Sequence, residues 1–138
     1  MAQNNNNRQN RDPMTNIRTM ANEGMKIIRD IAFGRYDIYA DPRSAYFRNL
    51  VFTNAVISEV NKKLSSANII YNALMYTYGS ENPNAEVIRV IADARKTLEA
   101  YNIVYNALSN IVLSNGNVGY LYIMQNRLPA YKHNLWEV

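Results

Sequence analysis

The chain has 138 residues, 48% of them hydrophobic, and a formal net charge of +4. This hydrophobic fraction excludes a wholly disordered chain, and the length gives room for one domain with a modest core. The absence of cysteine excludes disulfides and thiolate metal sites, and no apolar run approaches the roughly 18 residues of a membrane span.

Charge and polarity are unevenly distributed along the chain. Residues 1–63 hold ten Lys and Arg against six Asp and Glu, whereas residues 64–138 hold five of each. Only 19% of the residues are charged, and 21 asparagines and 11 tyrosines supply much of the remaining polarity. A surface of amides and phenols repels its neighbours weakly and suits a protein that packs against others, although an AT-rich genome would give the same composition.

Residues 1–11, MAQNNNNRQNR, form a polar arm without hydrophobic periodicity. Such a segment is predicted to be flexible on its own and to become ordered only against another chain. It also lacks the apolar stretch of a signal peptide. We therefore expect a soluble protein without membrane contact, located in the virion if the chain is viral and otherwise in the cytoplasm.

Three predicted helix starts have the same sequence pattern, an Asp or Asn followed by proline: Asp12-Pro13, Asp41-Pro42 and Asn82-Pro83. The side-chain oxygen can accept a free backbone N–H, and proline at the first helical position has no N–H to leave unpaired. The helices predicted from these starts cover residues 13–33, 43–78 and 83–115.

The first predicted helix shows one apolar face, formed by Ile17, Ala21, Gly24, Ile28 and Ile31. Gly34 is the predicted stop, because glycine readily adopts the left-handed conformation that ends a helix. Gly24 has two interpretations. It either allows another helix to approach closely or introduces a local kink.

The next two helices carry a heptad pattern, in which apolar residues recur at alternating steps of three and four. In the second helix these positions are Leu50, Thr53, Ile57, Val60, Leu64, Ala67, Tyr71, Leu74 and Tyr78. In the third they are Val87, Ile91, Ala94, Leu98, Tyr101, Tyr105, Leu108 and Val112. The short link between the helices predicts that they lie antiparallel.

The two long helices also contain a similar eight-residue sequence, which we call the shared phrase. Residues 67–74, ANIIYNAL, match residues 101–108, YNIVYNAL, at an offset of 34. The match indicates either an internally duplicated helix or convergence on a sequence that packs well.

Residues 117–138 read either as a short fourth helix that ends before Pro129 or as an alternating strand. The helix is favoured because the sequence offers no second strand for pairing. The predicted fold is therefore all-α, an antiparallel helical bundle built on a long helical hairpin. Its parts are the flexible arm (1–11), the bundle (12–116), and a short C-terminal element with an aromatic tail (117–138).

The sequence offers no candidate catalytic residues, metal ligands or cofactor site. His133 is the only histidine, the heptad positions contain no carboxylate, and the five glycines form no phosphate-binding loop. We expect neither an enzyme nor a small-molecule substrate. The tyrosines of the heptad positions (Tyr71, Tyr78, Tyr101 and Tyr105) favour a core role over stacking on a ligand.

These features favour a non-enzymatic structural or assembly subunit whose partners are other protein subunits. The predicted interface residues are Arg8 and Arg11 in the arm and Tyr131 and Trp136 in the tail. Trp136 either folds back onto the bundle or anchors in a partner. The composition and layout resemble those of small all-helical virion proteins of tailed phages, and this resemblance implies a homo- or hetero-oligomeric virion component.

An alternative function uses the basic N-terminal half to accompany nucleic acid. The cations available for this are Arg8, Arg11, Arg18, Lys26 and Arg29. They predict weak, sequence-independent and salt-dependent contact with phosphates.

Overall fold

The structure, a computed structural model, describes residues 13–79 and 84–136, and these residues contain helices and no strand. The helices are α1 (Pro13–Ala32), α2 (Ser44–Arg48), α3 (Leu50–Tyr78), α4 (Ala85–Leu113), α5 (Tyr120–Arg127) and α6 (Lys132–Trp136), with a 3₁₀ turn at Leu128–Ala130 between the last two. The predicted all-α hairpin bundle is confirmed, since α3 and α4 pack against each other along their length.

Helix α1 packs on α3 through the face that the sequence predicted. Ala21, Gly24, Ile28 and Ile31 are buried, while Ile17 at the start of the face is partly exposed. The helix ends as predicted, because Gly34 adopts φ 72° and the Arg35 N–H donates to the carbonyl of Asp30 at 2.7 Å.

The single helix predicted over residues 43–78 is wrong in its first turns. The helix breaks at Asn49, which has an extended backbone (φ −80°, ψ 111°) and whose side chain accepts the N–H of Val51 at 3.0 Å. The break turns Phe47 of α2 fully into the core, where its ring meets Phe52 edge-on at 5.5 Å. The Thr53 hydroxyl donates to the Phe47 carbonyl at 2.8 Å and so satisfies a group that the break leaves free.

Of the other two predicted helix starts, Asp12 and the Asn82-Pro83 pair lie outside the described residues. In α4 the capping residue is Asn84, whose side chain accepts the N–H of Glu86 at 2.9 Å. The helix ends before Gly116, which has φ 91° and whose N–H donates to the Ile111 carbonyl at 2.8 Å.

The core lies at one end of the hairpin, between the first half of α3 and the second half of α4. Three helices cover the hairpin there, with α1 packed on α3 and α5 and α6 packed on α4. We call these three helices the covering layer. Its largest fully buried side chains include Ile27, Ile28, Ile31, Leu121, Met124 and Leu135.

Candidate interaction surface

Of the four predicted interface residues, Tyr131 is the one whose side chain lies in the described part of the chain. Arg8 and Arg11 lie outside the described residues, as does the side chain of Trp136, whose backbone closes α6. Tyr131 lies between the 3₁₀ turn and α6 and is half-buried against the bundle's own core. The structure thus assigns Tyr131 at least partly to the fold of its own chain.

The C-terminal segment docks on α4. Leu135 is fully buried, and its carbonyl accepts a hydrogen bond from the Tyr101 hydroxyl at 2.5 Å. The Thr97 hydroxyl donates to the carbonyls of Asp93 at 3.0 Å and Asn134 at 3.3 Å. Burial at this contact raises the pKa of Tyr101.

The opposite end of the hairpin projects beyond the covering layer, which meets it at Asp93, whose carbonyl accepts a hydrogen bond from the side-chain amide of Asn134 in α6 at 3.5 Å. We call residues 69–79 of α3 and 84–95 of α4 the distal hairpin. Its large apolar side chains remain open to solvent; Tyr76 is 94% exposed and Ile69 is 69% exposed. The other exposed apolar residues of this segment are Ile70, Tyr78, Ile88 and Val90.

One side of the distal hairpin continues the face that the covering layer buries. Leu74 lies 18 residues after Val56, and Val90 lies 18 residues before Leu108. Eighteen residues make about five helical turns, so each pair points in the same direction. Val56, beside Gly24 of α1, and Leu108 are fully buried, whereas Leu74 is half-buried and Val90 is 41% exposed.

A groove runs along this side of the distal hairpin. It is lined by Leu74, Tyr78, Glu86, Val87 and Val90, and Ile70 lies one turn before Leu74 on the same side of α3. We call Ile70, Leu74, Tyr78, Val87 and Val90 the open face. No helix in the described part of the chain covers it.

The distal hairpin is nearly neutral as well as apolar. Residues 64–79 contain no charged side chain. On α4 the carboxylate of Glu86 pairs with the guanidinium of Arg89 at 2.6 Å, so the two charges near the tip offset each other. Exposed apolar surface with little charge is typical of sites that bind other proteins.

A second groove lies on the other side of the distal hairpin. It is lined by Tyr71, Met75, Gly79, Ile88, Ile91, Ala92 and Arg95. On α4 this groove lies on the side away from the covering layer, because Ile88 precedes Val90 by two residues and so points to the other side of the helix.

Sequence reasoning missed the distal hairpin as a surface. The heptad positions predicted which residues face the partner helix, and Tyr71 and Leu74 lie half-buried at that seam. The available signal was apolar residues outside the heptad positions, such as Ile69, Ile70 and Ile88, in a stretch poor in charge. A helix that is apolar beyond one stripe needs cover on a second side.

The cations of α1 occupy its outer side. Arg18, Lys26 and Arg29 are exposed and fall within about one quarter of the helical circumference. Glu23 lies 4.0 Å from Lys26 and offsets part of this charge. At the end of α1, Arg35 lies over the Phe33 ring at 5.1 Å.

Arg43 is half-buried and is held by two carboxylates, so it is not part of this cationic surface. Its guanidinium pairs with Asp41 at 2.7 Å and with Asp30 at 2.6 Å, and it lies 5.1 Å from the centre of the Tyr36 ring. Hydrogen bonds from Arg43 hold the pKa of Asp41 below its usual value, and the hydrogen bonds to Asp41 and Asp30 raise the pKa of Arg43. Burial, followed by the charge of Asp41, raises the pKa of Tyr36.

His133 packs against a ring, with its imidazole edge-on to Phe33 at 6.3 Å. Within residues 13–79 and 84–136, His, Asp and Glu form no group of three that could hold a metal ion. The helices of the same residues are each too short or too polar to cross a membrane. No protein-family model, curated protein or solved structure matches the chain.

Proposed function

We propose that this chain is a non-enzymatic structural or assembly subunit of a larger protein complex, and that the distal hairpin is the surface through which it joins that complex. The observation that supports this is the open face, the uncovered continuation of a face that the chain buries elsewhere. Burying exposed apolar surface of this kind against a partner is favourable, and such surface is typical of a protein-binding site. The composition resembles that of tailed-phage virion proteins, so a virion is the assembly we propose.

The first test measures the native mass of the protein in an extract of its source material and compares it with the mass of a single chain. We expect the protein to migrate far above the 15.9 kDa of a single chain and to keep that mass after nuclease treatment. Ile70→Lys places a charge on the open face, where burial would be costly, and should reduce the mass. Leu113→Lys, at an exposed position at the end of α4, is the control and should not.

The cations on the outer side of α1 support a second candidate, a nucleic-acid-associated accessory protein. Binding through Arg18, Lys26 and Arg29 would depend on phosphate charge and fall steeply with salt. In the same experiment this function predicts a mass that nuclease and moderate salt reduce and that Ile70→Lys leaves unchanged. A protein that migrates as a single chain under all conditions would contradict both candidates.

A further inference from the structure

The shared phrase provides an internal comparison between a covered and an uncovered helix face. Ile103 and Val104 in α4 are 8% and 1% exposed, whereas their counterparts Ile69 and Ile70 in α3 are 69% and 43% exposed. The α4 copy lies under α5 and α6. Equivalent aliphatic residues at the same spacing therefore pack under helices in one copy and have no helix over them in the described part of the other.

We propose that the open face is covered by the distal hairpin of a second copy of this chain, so that two hairpins pack side by side into a four-helix arrangement. This inference rests on the proposed function, since it names one partner for the same surface. The helices of the second copy would take the place that α1, α5 and α6 hold at the core end.

Charge favours a second copy as the occupant. A two-fold interface brings each surface against an identical one, so a net charge on that surface would be repelled by the same charge on the other copy. The α3 side of the open face has none over residues 64–79, and the Glu86 charge on α4 is offset by Arg89. A strongly acidic or basic partner would find no complementary charge there.

Residues 1–12, the longest segment outside the described residues, do not supply a suitable occupant. Residues 1–12 contain only Met1 and Ala2 as apolar side chains, and the remainder are amides and charged groups. Such a segment cannot replace the buried aliphatic contacts that α5 and α6 make with α4.

Dimensions predict a weak dimer. The distal part of each helix, 11 residues of α3 and 12 of α4, is about 17 Å long, and two adjacent helices are about 20 Å wide. Pairing would remove on the order of 340 Å² per copy, or about 680 Å² in total, which is below the roughly 1,000 Å² of a stable interface and in the range of weak, transient contacts. The dimer should therefore form at micromolar concentrations rather than be obligate.

The full purified chain tests this by sedimentation equilibrium from about 1 to 500 μM, a range that brackets a micromolar Kd. We expect reversible conversion from one chain to two. Val90→Lys on the open face should raise the dissociation constant at least about tenfold, since a charge would be buried without a partner. Ile88→Lys, two residues away on the opposite groove and 51% exposed, should leave it within about twofold. Circular dichroism of each variant verifies that it is folded.

Three results would overturn the proposal. One is a chain that stays monomeric throughout, in which case a large native mass in the source material would leave the proposed function standing with a different partner. Another is a dimer that Ile88→Lys disrupts and Val90→Lys does not, which would place the interface on the opposite groove. The third is dimerisation only after residues 1–11 are removed, which would identify the arm as the occupant.

Discussion

Gly24 lies where α1 crosses α3, and its missing side chain makes room for the neighbouring helix. A Cβ atom at this position would lie 1.9 Å from Cγ2 of Val56 and 3.2 Å from the Phe52 ring. Gly24→Ala gains about 1 kcal/mol of helix propensity but overpacks a buried contact, which costs about 1–3 kcal/mol or more. We expect a net loss of about 1–2 kcal/mol in the free energy of unfolding, measured with urea.

A double mutant separates this contact from a general effect on α1. Val56→Ala removes the atom that the new methyl group would meet. The loss for Gly24→Ala combined with Val56→Ala should therefore be smaller than the sum of the two single losses. If Gly24→Ala stabilises the protein, the glycine serves as a kink and the close approach of α1 is not what requires it.

The break at Asn49 shows where residue patterns stop being informative. The apolar phase of the second predicted helix begins at Leu50, and Asn49 is one of 21 asparagines, so nothing local marks it as a cap. The reason for the break is tertiary, since only the turn at Asn49 lets Phe47 reach the core. The starts of the two long helices were therefore not located by the Asp/Asn-Pro pattern: α3 is capped by Asn49 and α4 by Asn84, and neither cap is followed by proline.

At the scale of elements, the shared phrase predicts a gradient of stability along the hairpin. Leu108 is fully buried under the covering layer, and its counterpart Leu74 is half-buried on the open face. Leu108→Ala should cost about 2–5 kcal/mol of unfolding free energy, since it leaves a cavity. Leu74→Ala should cost less than about half of that, because less apolar surface returns to water.

Both variants are measured by urea unfolding at a protein concentration at which the chain is monomeric. The two leucines occupy the same place in the shared phrase, so helix propensity cancels in the comparison. Equal losses would mean that the distal hairpin is as well packed as the core end, contrary to the burial described here.

The heptad pattern predicted the hairpin but not its cover. Alternating steps of three and four identify the side of each helix that faces its neighbour, and Val60, Ala67 and Leu108 are buried there. The pattern gives no information about a second buried side. Ile103 and Ile69 occupy equivalent positions in the same phrase, and only the placement of α5 and α6 distinguishes them.

At the scale of the whole molecule, the C-terminal segment closes the bundle. The sequence left two roles open for the tail, folding back or anchoring in a partner, and the structure shows residues 131–135 folded back on α4. The expected interface roles of Arg8, Arg11 and Trp136 remain predictions. Tail docking is a long-range contact, since Tyr101 and Leu135 are 34 residues apart, and no local pattern encodes it.

The docked tail should contribute to the stability of the isolated chain. Leu135→Ala removes a fully buried side chain from the contact between α6 and α4 and should lower the free energy of unfolding by about 2–3 kcal/mol. The loss cannot exceed the stability that docking of the whole tail contributes, because α6 can detach while the rest of the bundle stays folded. A chain that ends at Ala130 should therefore lose at least as much stability as Leu135→Ala.

Ile123→Ala, at an exposed position of α5, is the matched control and should change the urea midpoint little. A Leu135→Ala variant with an unchanged midpoint would show that the tail does not stabilise its own bundle and would favour its role as an anchor in a partner.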